Sequence, residues 1–299
     1  MAQLPLPDTQ ALAHSRQLSA LIRSEIKGAG GSISFARYMH LALYAPGLGY
    51  YSGGAQKFGS AGDFVTAPEI SPLFAQTLAR HAAEVLRLTQ GAILELGAGT
   101  GRLAAELLLE LQRLDQLPQR YMILEVSGQL RERQLATLRQ NLSAELMQRV
   151  EWLEHLPNAF DGLVLANEVL DALPVHVIKT TQQGICEQEV LWNGDRFAWA
   201  DKALPPGPLL EQAGKYALAQ DYVTEICLAA PGLIASLAER LNRGVLLFID
   251  YGFPRHEYYH AQRKQGTLMC HYRHYAHDDP FIYLGLQDIT AHVDFTAVA

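Results

Sequence analysis

Ile93-Leu94-Glu95-Leu96-Gly97-Ala98-Gly99-Thr100-Gly101 is the stretch that decides the fold. An apolar run ends in an acid and three alternate glycines follow. Arg102-Leu103-Ala104-Ala105-Glu106-Leu107-Leu108 then resumes with the apolar spacing of a helix. The pattern reads as strand, tight turn and helix start. Glycine lets such a turn adopt positive φ and lets backbone approach a ligand, where a Cβ would block both.

The spacing narrows the ligand. A dinucleotide fingerprint runs G-x-G-x-x-G, so that a pyrophosphate can sit on the helix N-terminus. Here the third glycine position is Arg102, which counts against a nicotinamide dehydrogenase. The observed E-x-G-x-G-x-G suits a ligand with a ribose and an ammonium group but no pyrophosphate, which is the chemistry of S-adenosylmethionine (SAM). Tyr121-Met122-Ile123-Leu124 is the next apolar run, and it too ends in an acid, Glu125. A carboxylate there can accept both ribose hydroxyls. Glu95 can favour the methionine ammonium directly or through water. Gly97, Gly99, Gly101, Glu95 and Glu125 are therefore the expected cofactor contacts.

The chain has 299 residues, 49% of them hydrophobic, enough for one elaborated domain or two smaller ones. Its formal net charge of −7 argues against nonspecific polyanion binding, so nucleic acid is not an expected partner. Cys186, Cys227 and Cys270 are far apart and form no C-x-x-C pair, as expected of thiols in a reducing compartment. No apolar run approaches the roughly 20 residues that span a bilayer, and the first thirty contain no signal-peptide core. An amphipathic helix with Leu12, Leu18, Leu21, Ile22 and Ile26 stops at Gly28–Gly31, and its Asp8 and Glu25 make it a poor transit peptide. A cytosolic protein without membrane insertion is expected.

Alternation along the chain predicts a doubly wound α/β sheet. Strands are expected near 121–125, 150–153, 162–166 and 244–250, with helices near 73–88, 128–140 and 231–242. Residues 1–88 read as a helical region followed by a loop rich in glycine and aromatics over 45–72, too long for a plain connection and suited to a lid. Residues 89–180 read as the cofactor-binding core and 181–235 as an inserted lobe with a hairpin turn at Trp192–Phe197. Residues 236–299 read as a return to the core.

Ligands of doubly wound sheets bind beyond the carboxyl ends of the strands. Leu163–Ala166 runs into Asn167-Glu168-Val169-Leu170-Asp171, so Asn167, Glu168 and Asp171 are candidates to face the methyl group. Asp171 reads equally well as the cap of a turn. Leu246–Ile249 ends in Asp250. Asp288 reads as a helix N-cap with Thr290 nearby, while His292 and Asp294 alternate with apolar residues, so His292 is open to a structural or a catalytic role. Five histidines fall between His256 and His277, but H-x-x-H-x-x-H matches no familiar ligand spacing, and the interleaved tyrosines suggest an interaction or gating surface. No metal is expected.

Seven segments are similar to the MidA-like SAM-dependent methyltransferases: Tyr44–Tyr51, Gly62–Ser71, Glu95–Gly101, Glu125-Val126-Ser127, Ala166–Pro174, Ile249–Gly252 and Ala291–Phe295. The resemblance implies a Rossmann-like methyltransferase with a helical N-terminal extension and an inserted lobe. It places Gly62–Glu69 over the cofactor, which adds Asp63, Phe64, Thr66 and Glu69 to the expected contacts, and Val126 joins them from the Glu125-Val126-Ser127 segment. Mitochondrial members of that family methylate an arginine of a respiratory complex I subunit, so a protein arginine acceptor is implied, with Glu168, Asp171, Asn167 and His292 as catalytic candidates. A homodimer stays open. Family members continue past the position equivalent to Ala299 with the last strands of the sheet, so this chain is expected to lack them. The competing readings are a SAM-binding assembly factor or scaffold without catalysis, and a small-molecule methyltransferase.

Overall fold

The computed structural model describes residues 4–53 and 67–299. They fall into two units, one made of residues 56–169 and 233–250, the other of residues 1–55, 170–232 and 251–299. Asp63, Phe64 and Thr66, with residues 54–66 of the expected lid, lie outside the described residues.

The first unit is built on five parallel strands: β1 (Ala92–Leu96), β2 (Tyr121–Leu124), β3 (Val150–Leu153), β4 (Phe160–Asn167) and β5 (Leu241–Ile249). Their order is β5-β4-β1-β2-β3. The chain winds outward from β1 to β3 and then returns to the other side of β1. Strands buried on both faces must be apolar at nearly every position, and β1 is buried throughout. On one face Ile93, Tyr121, Ile123, Leu163 and Leu165 pack with α1 (Pro72–Thr89), α2 (Arg102–Arg113) and α3 (Gly128–Asn141). On the other, Leu94, Leu96, Met122, Val164 and Ala166 meet Leu233 and Leu237 of α4 (Ala229–Ala238). The expected helix at 231–242 is thus shorter than its apolar spacing suggested. Leu241 pairs with Phe160, and hydrogen bonding along β4 draws the following residues into the sheet.

In the second unit, a helix at Thr9–Gly28 begins at Asp8, whose carboxylate accepts the Ala11 N–H at 2.8 Å, and buries Leu18, Ile22 and Ile26, spaced four apart along one face. Ser34 caps the next helix, Phe35–Tyr44. Strands His176–Thr181, Gly184–Trp192, Phe197–Ala203 and Val223–Ile226 form an antiparallel sheet with Ser32–Ser34. The Trp192–Phe197 turn is present, with Asn193 Oδ1 accepting the Asp195 and Arg196 N–H groups. Asp288 departs from expectation. It does not cap a helix but opens the strand Asp288–Thr290, paired with Met269–Tyr272. It is buried there, and Tyr51 donates its hydroxyl to the carboxylate at 3.0 Å. Among the described residues no helix is long and apolar enough to cross a membrane, and no group of three or more His, Cys, Asp or Glu could hold a metal ion.

Candidate active site

The parallel register brings the carboxyl ends of four strands side by side. Leu96 lies between Leu124 and Ala166, and Asn167 lies beside Ile249. The winding direction reverses between β1 and β4, the place where open α/β sheets bind ligands. Gly97, Gly99, Gly101, Glu125, Asn167 and Glu168 all lie at or just beyond these strand ends.

In the glycine turn φ is +62° at Gly97, +53° at Gly99 and +82° at Gly101. A Cβ at Gly99 would meet nothing within 4 Å, so its backbone conformation and the open space beside it are what call for glycine. At Gly101 a Cβ would stand 3.1 Å from Gln134 Cα, because α3 packs directly on the turn. Gly97 N–H donates to Leu124 O at 3.2 Å, which ties the turn to the end of β2. Thr100 donates its hydroxyl to Glu69 at 2.5 Å, so Glu69 reaches the glycine turn. The turn offers a ligand bare backbone, and Gly101 starts α2 without a side-chain cap.

Two carboxylates stand behind it. Glu125 is 6% exposed; its Oε1 accepts the Ser127 N–H at 2.9 Å and its Oε2 accepts Gln134 Nε2 at 3.0 Å. Burial pushes its carboxyl up, and the Ser127 and Gln134 hydrogen bonds pull it partly back. Val126 beside it is 81% exposed, an uncovered apolar side chain next to the Glu125 carboxylate. Glu95, 2% exposed, accepts the Tyr121 hydroxyl at 2.7 Å. Burial raises it to about 7; the Tyr121 bond opposes that rise and the Glu125 charge adds to it. An ammonium would favour the ionised form. A buried carboxylate at the end of β2, a poised acid and a cradle of bare backbone together fit SAM.

At the end of β4, Glu168 adopts φ +52°, a left-handed conformation that costs a non-glycine residue about 1 kcal/mol or more. The strained turn is pinned by Glu168 N–H to Ile249 O at 2.8 Å and by Val169 N–H to Asp250 Oδ2 at 3.1 Å. Asp250, noticed in the sequence only as an acid ending a strand, thus holds the bend that presents Glu168.

Asp171 and His292 belong to the second unit. Their segments meet there, with Ala291 N–H donating to Asp171 O at 3.0 Å. Asp171 is buried. His292 N–H donates to Thr267 Oγ1 at 3.0 Å, and its ring lies edge-on to Phe253, 5.3 Å between centroids. Burial, then the Arg263 charge, lowers its pKa, so the imidazole is neutral near pH 7. Gln134 and Tyr121 were not among the sequence candidates for the site. The signal available for Tyr121 was a hydroxyl beginning an otherwise apolar strand.

A doubly wound parallel sheet with this glycine turn and an acid at the end of the neighbouring strand defines the Rossmann-like SAM-dependent methyltransferases. Residues 77–299 match the family described as "Putative S-adenosyl-L-methionine-dependent methyltransferase", and the chain belongs to that family. The resemblance read from its segments is borne out. A Burkholderia thailandensis protein whose crystal structure holds S-adenosyl-homocysteine is 51% identical, with a TM-score of 0.95 over 99% of this chain and 78% of its own. Protein arginine methyltransferase NDUFAF7 of Mus musculus is 31% identical over 95% of this chain and 70% of its own length. The Homo sapiens protein of that name is 30% identical over 89% and 64%, and the Drosophila melanogaster homologue 30% over 98% and 72%. The chain thus spans between about two thirds and three quarters of these curated relatives. All three are mitochondrial proteins. That overturns the cytosolic location expected from the sequence, because an unfavourable charge pattern in one N-terminal helix is a weaker indicator than the location of relatives matched along nearly the whole chain.

Proposed function

We propose that the chain methylates arginine side chains of a protein, with a respiratory complex I subunit as the first acceptor to test. What supports this is the match to curated arginine methyltransferases along 89 to 98% of the chain. SAM, when bound, supplies an activated methyl group, and the remaining work is positioning. Glu125 holds the ribose hydroxyls, Glu95 the ammonium, and Val126 and Glu69 flank the cofactor. Asp63, Phe64 and Thr66 are proposed contacts from sequence alone.

An arginine guanidinium is protonated at any accessible pH and presents a planar fork of donors. Glu168 grips it, and Asn167 beside it orients the attacking nitrogen. As the nitrogen–methyl bond forms and the methyl–sulfur bond breaks, the surplus guanidinium proton passes to Glu168. Asp171 and His292 are proposed as further contributors from sequence alone.

Incubating the chain with methyl-labelled SAM and a mitochondrial protein extract, then hydrolysing the protein, should place label in methylarginine. Label in any other residue, or none in protein, overturns the assignment. Glu168→Gln should lower kcat about 100-fold with SAM affinity nearly unchanged; full activity in that variant removes Glu168 from the chemistry.

A further inference from the structure

Gln134 is fully buried on α3, belongs to none of the motifs and carries no charge. Its amide nonetheless meets three parts of the cofactor-binding unit. Nε2 donates to Glu125 Oε2 at 3.0 Å and to Gly99 O at 3.2 Å, while Oε1 accepts from Trp152 Nε1 at 2.9 Å. An indole N–H can only donate, so Trp152 dictates which end of the amide is oxygen. The NH2 group must then face the two acceptors. A reversed amide would set its oxygen against the Glu125 carboxylate and the Gly99 carbonyl at once.

We propose that Gln134, oriented by Trp152, is the positioning residue that gives this enzyme its selectivity for a ribose diol. A carboxylate offers about four acceptor sites. The Ser127 and Val126 backbone N–H groups hold Glu125 from its own turn and Gln134 holds Oε2, so the plane of the carboxylate is set from behind while acceptor capacity is left for a ligand hydroxyl. The same NH2 group grips the carbonyl of Gly99, so the turn under the ligand and the acid at its ribose move as one body. Close packing of Gly101 on the Gln134 backbone completes that coupling. The inference rests on the reading of Glu125 as the ribose acceptor.

The test compares binding of S-adenosyl-homocysteine with that of its 2′-deoxy and 3′-deoxy analogues by calorimetry, with thermal unfolding of each variant alongside. In the unaltered chain each missing hydroxyl should weaken binding about tenfold. Gln134→Leu, close in volume, should reduce that discrimination to about twofold or less, and Trp152→Phe, which removes the indole donor, should reduce it in part. A purely structural role would lower the unfolding temperature and leave the ratio between ligands unchanged, and that result overturns the proposal. If Gln134→Leu does not fold, Trp152→Phe decides on the same ratio. Glu125→Ala separates the two readings. If it retains full diol discrimination, Glu125 is not the ribose acceptor; if it loses discrimination while Gln134→Leu and Trp152→Phe keep it, the positioning role of Gln134 fails by itself.

Discussion

The two units bury carboxylates for opposite purposes. At the strand ends of the parallel sheet, Glu95 accepts the Tyr121 hydroxyl and stays poised near neutrality, while Glu125 is held from behind with capacity left for a ligand. In the second unit Glu225 is saturated. It accepts the backbone N–H groups of Thr267 and Leu268, the Thr267 hydroxyl and the Tyr258 hydroxyl, between 3.0 and 3.3 Å. A buried carboxylate ringed by donors ties a loop to a sheet, whereas one left partly unsatisfied is available to a ligand. Identical side chains at similar burial are told apart by how their acceptor sites are filled.

Removing the saturated acid should have the largest effect on stability. Glu225→Leu strands two buried backbone donors, at about 1–3 kcal/mol each. Denaturant unfolding should show about 4 kcal/mol lost, with SAM affinity of the folded protein unchanged. A change below about 1 kcal/mol would mean that water satisfies the loop and that the contrast between the units is unsound.

The poised acid is tested by pH. Glu95 moves from 4.5 to about 7 on folding. Between those values the native carboxyl holds a proton that the unfolded chain has lost, so stability falls as pH rises through this window and levels off above about 7. The expected loss is about 3 kcal/mol, and Glu95→Gln should flatten the profile measured by denaturant unfolding from about pH 4 to 8. Ammonium binding should favour the ionised form, so SAM binding at about pH 6.5 should release protons, detectable as a dependence of the calorimetric heat on buffer. An unaltered stability profile in Glu95→Gln would place the titration elsewhere.

The smallest effect is expected at Tyr51, whose hydroxyl serves both oxygens of Asp288. Tyr51→Phe should cost about 2 kcal/mol by thermal or denaturant unfolding, typical of a lost hydrogen bond to a charged group. A neutral outcome would show that Asp288 draws its support from elsewhere.

Much of the first unit was legible because a parallel sheet imposes a strong pattern. Each strand must be apolar until it ends, and it ends in polar residues where ligands bind, so Glu95, Glu125, Asn167, Glu168 and Asp250 stand out at the ends of apolar runs. Gln134 did not stand out. On a helix as polar as Gly128–Asn141, a buried glutamine looks like any solvated one, and its partners Gly99 and Trp152 are 35 and 18 residues away. Asp288 was misread for a related reason. Its local context suits a cap, while its strand pairing and its bond to Tyr51, 237 residues distant, are set by tertiary contacts.

Composition and pattern alone therefore determined the α/β class, the glycine turn, the acids that end the strands and the SAM ligand, because these follow from local backbone geometry and from apolar periodicity. Only the tertiary structure decided which acids are saturated and which stay poised, that Glu168 sits in a left-handed bend held by Asp250, and that one glutamine joins the glycine turn to Glu125. Burial and hydrogen-bond partnership are properties of the packed chain, and residues tens or hundreds of positions apart acquire them only when the strands take their register.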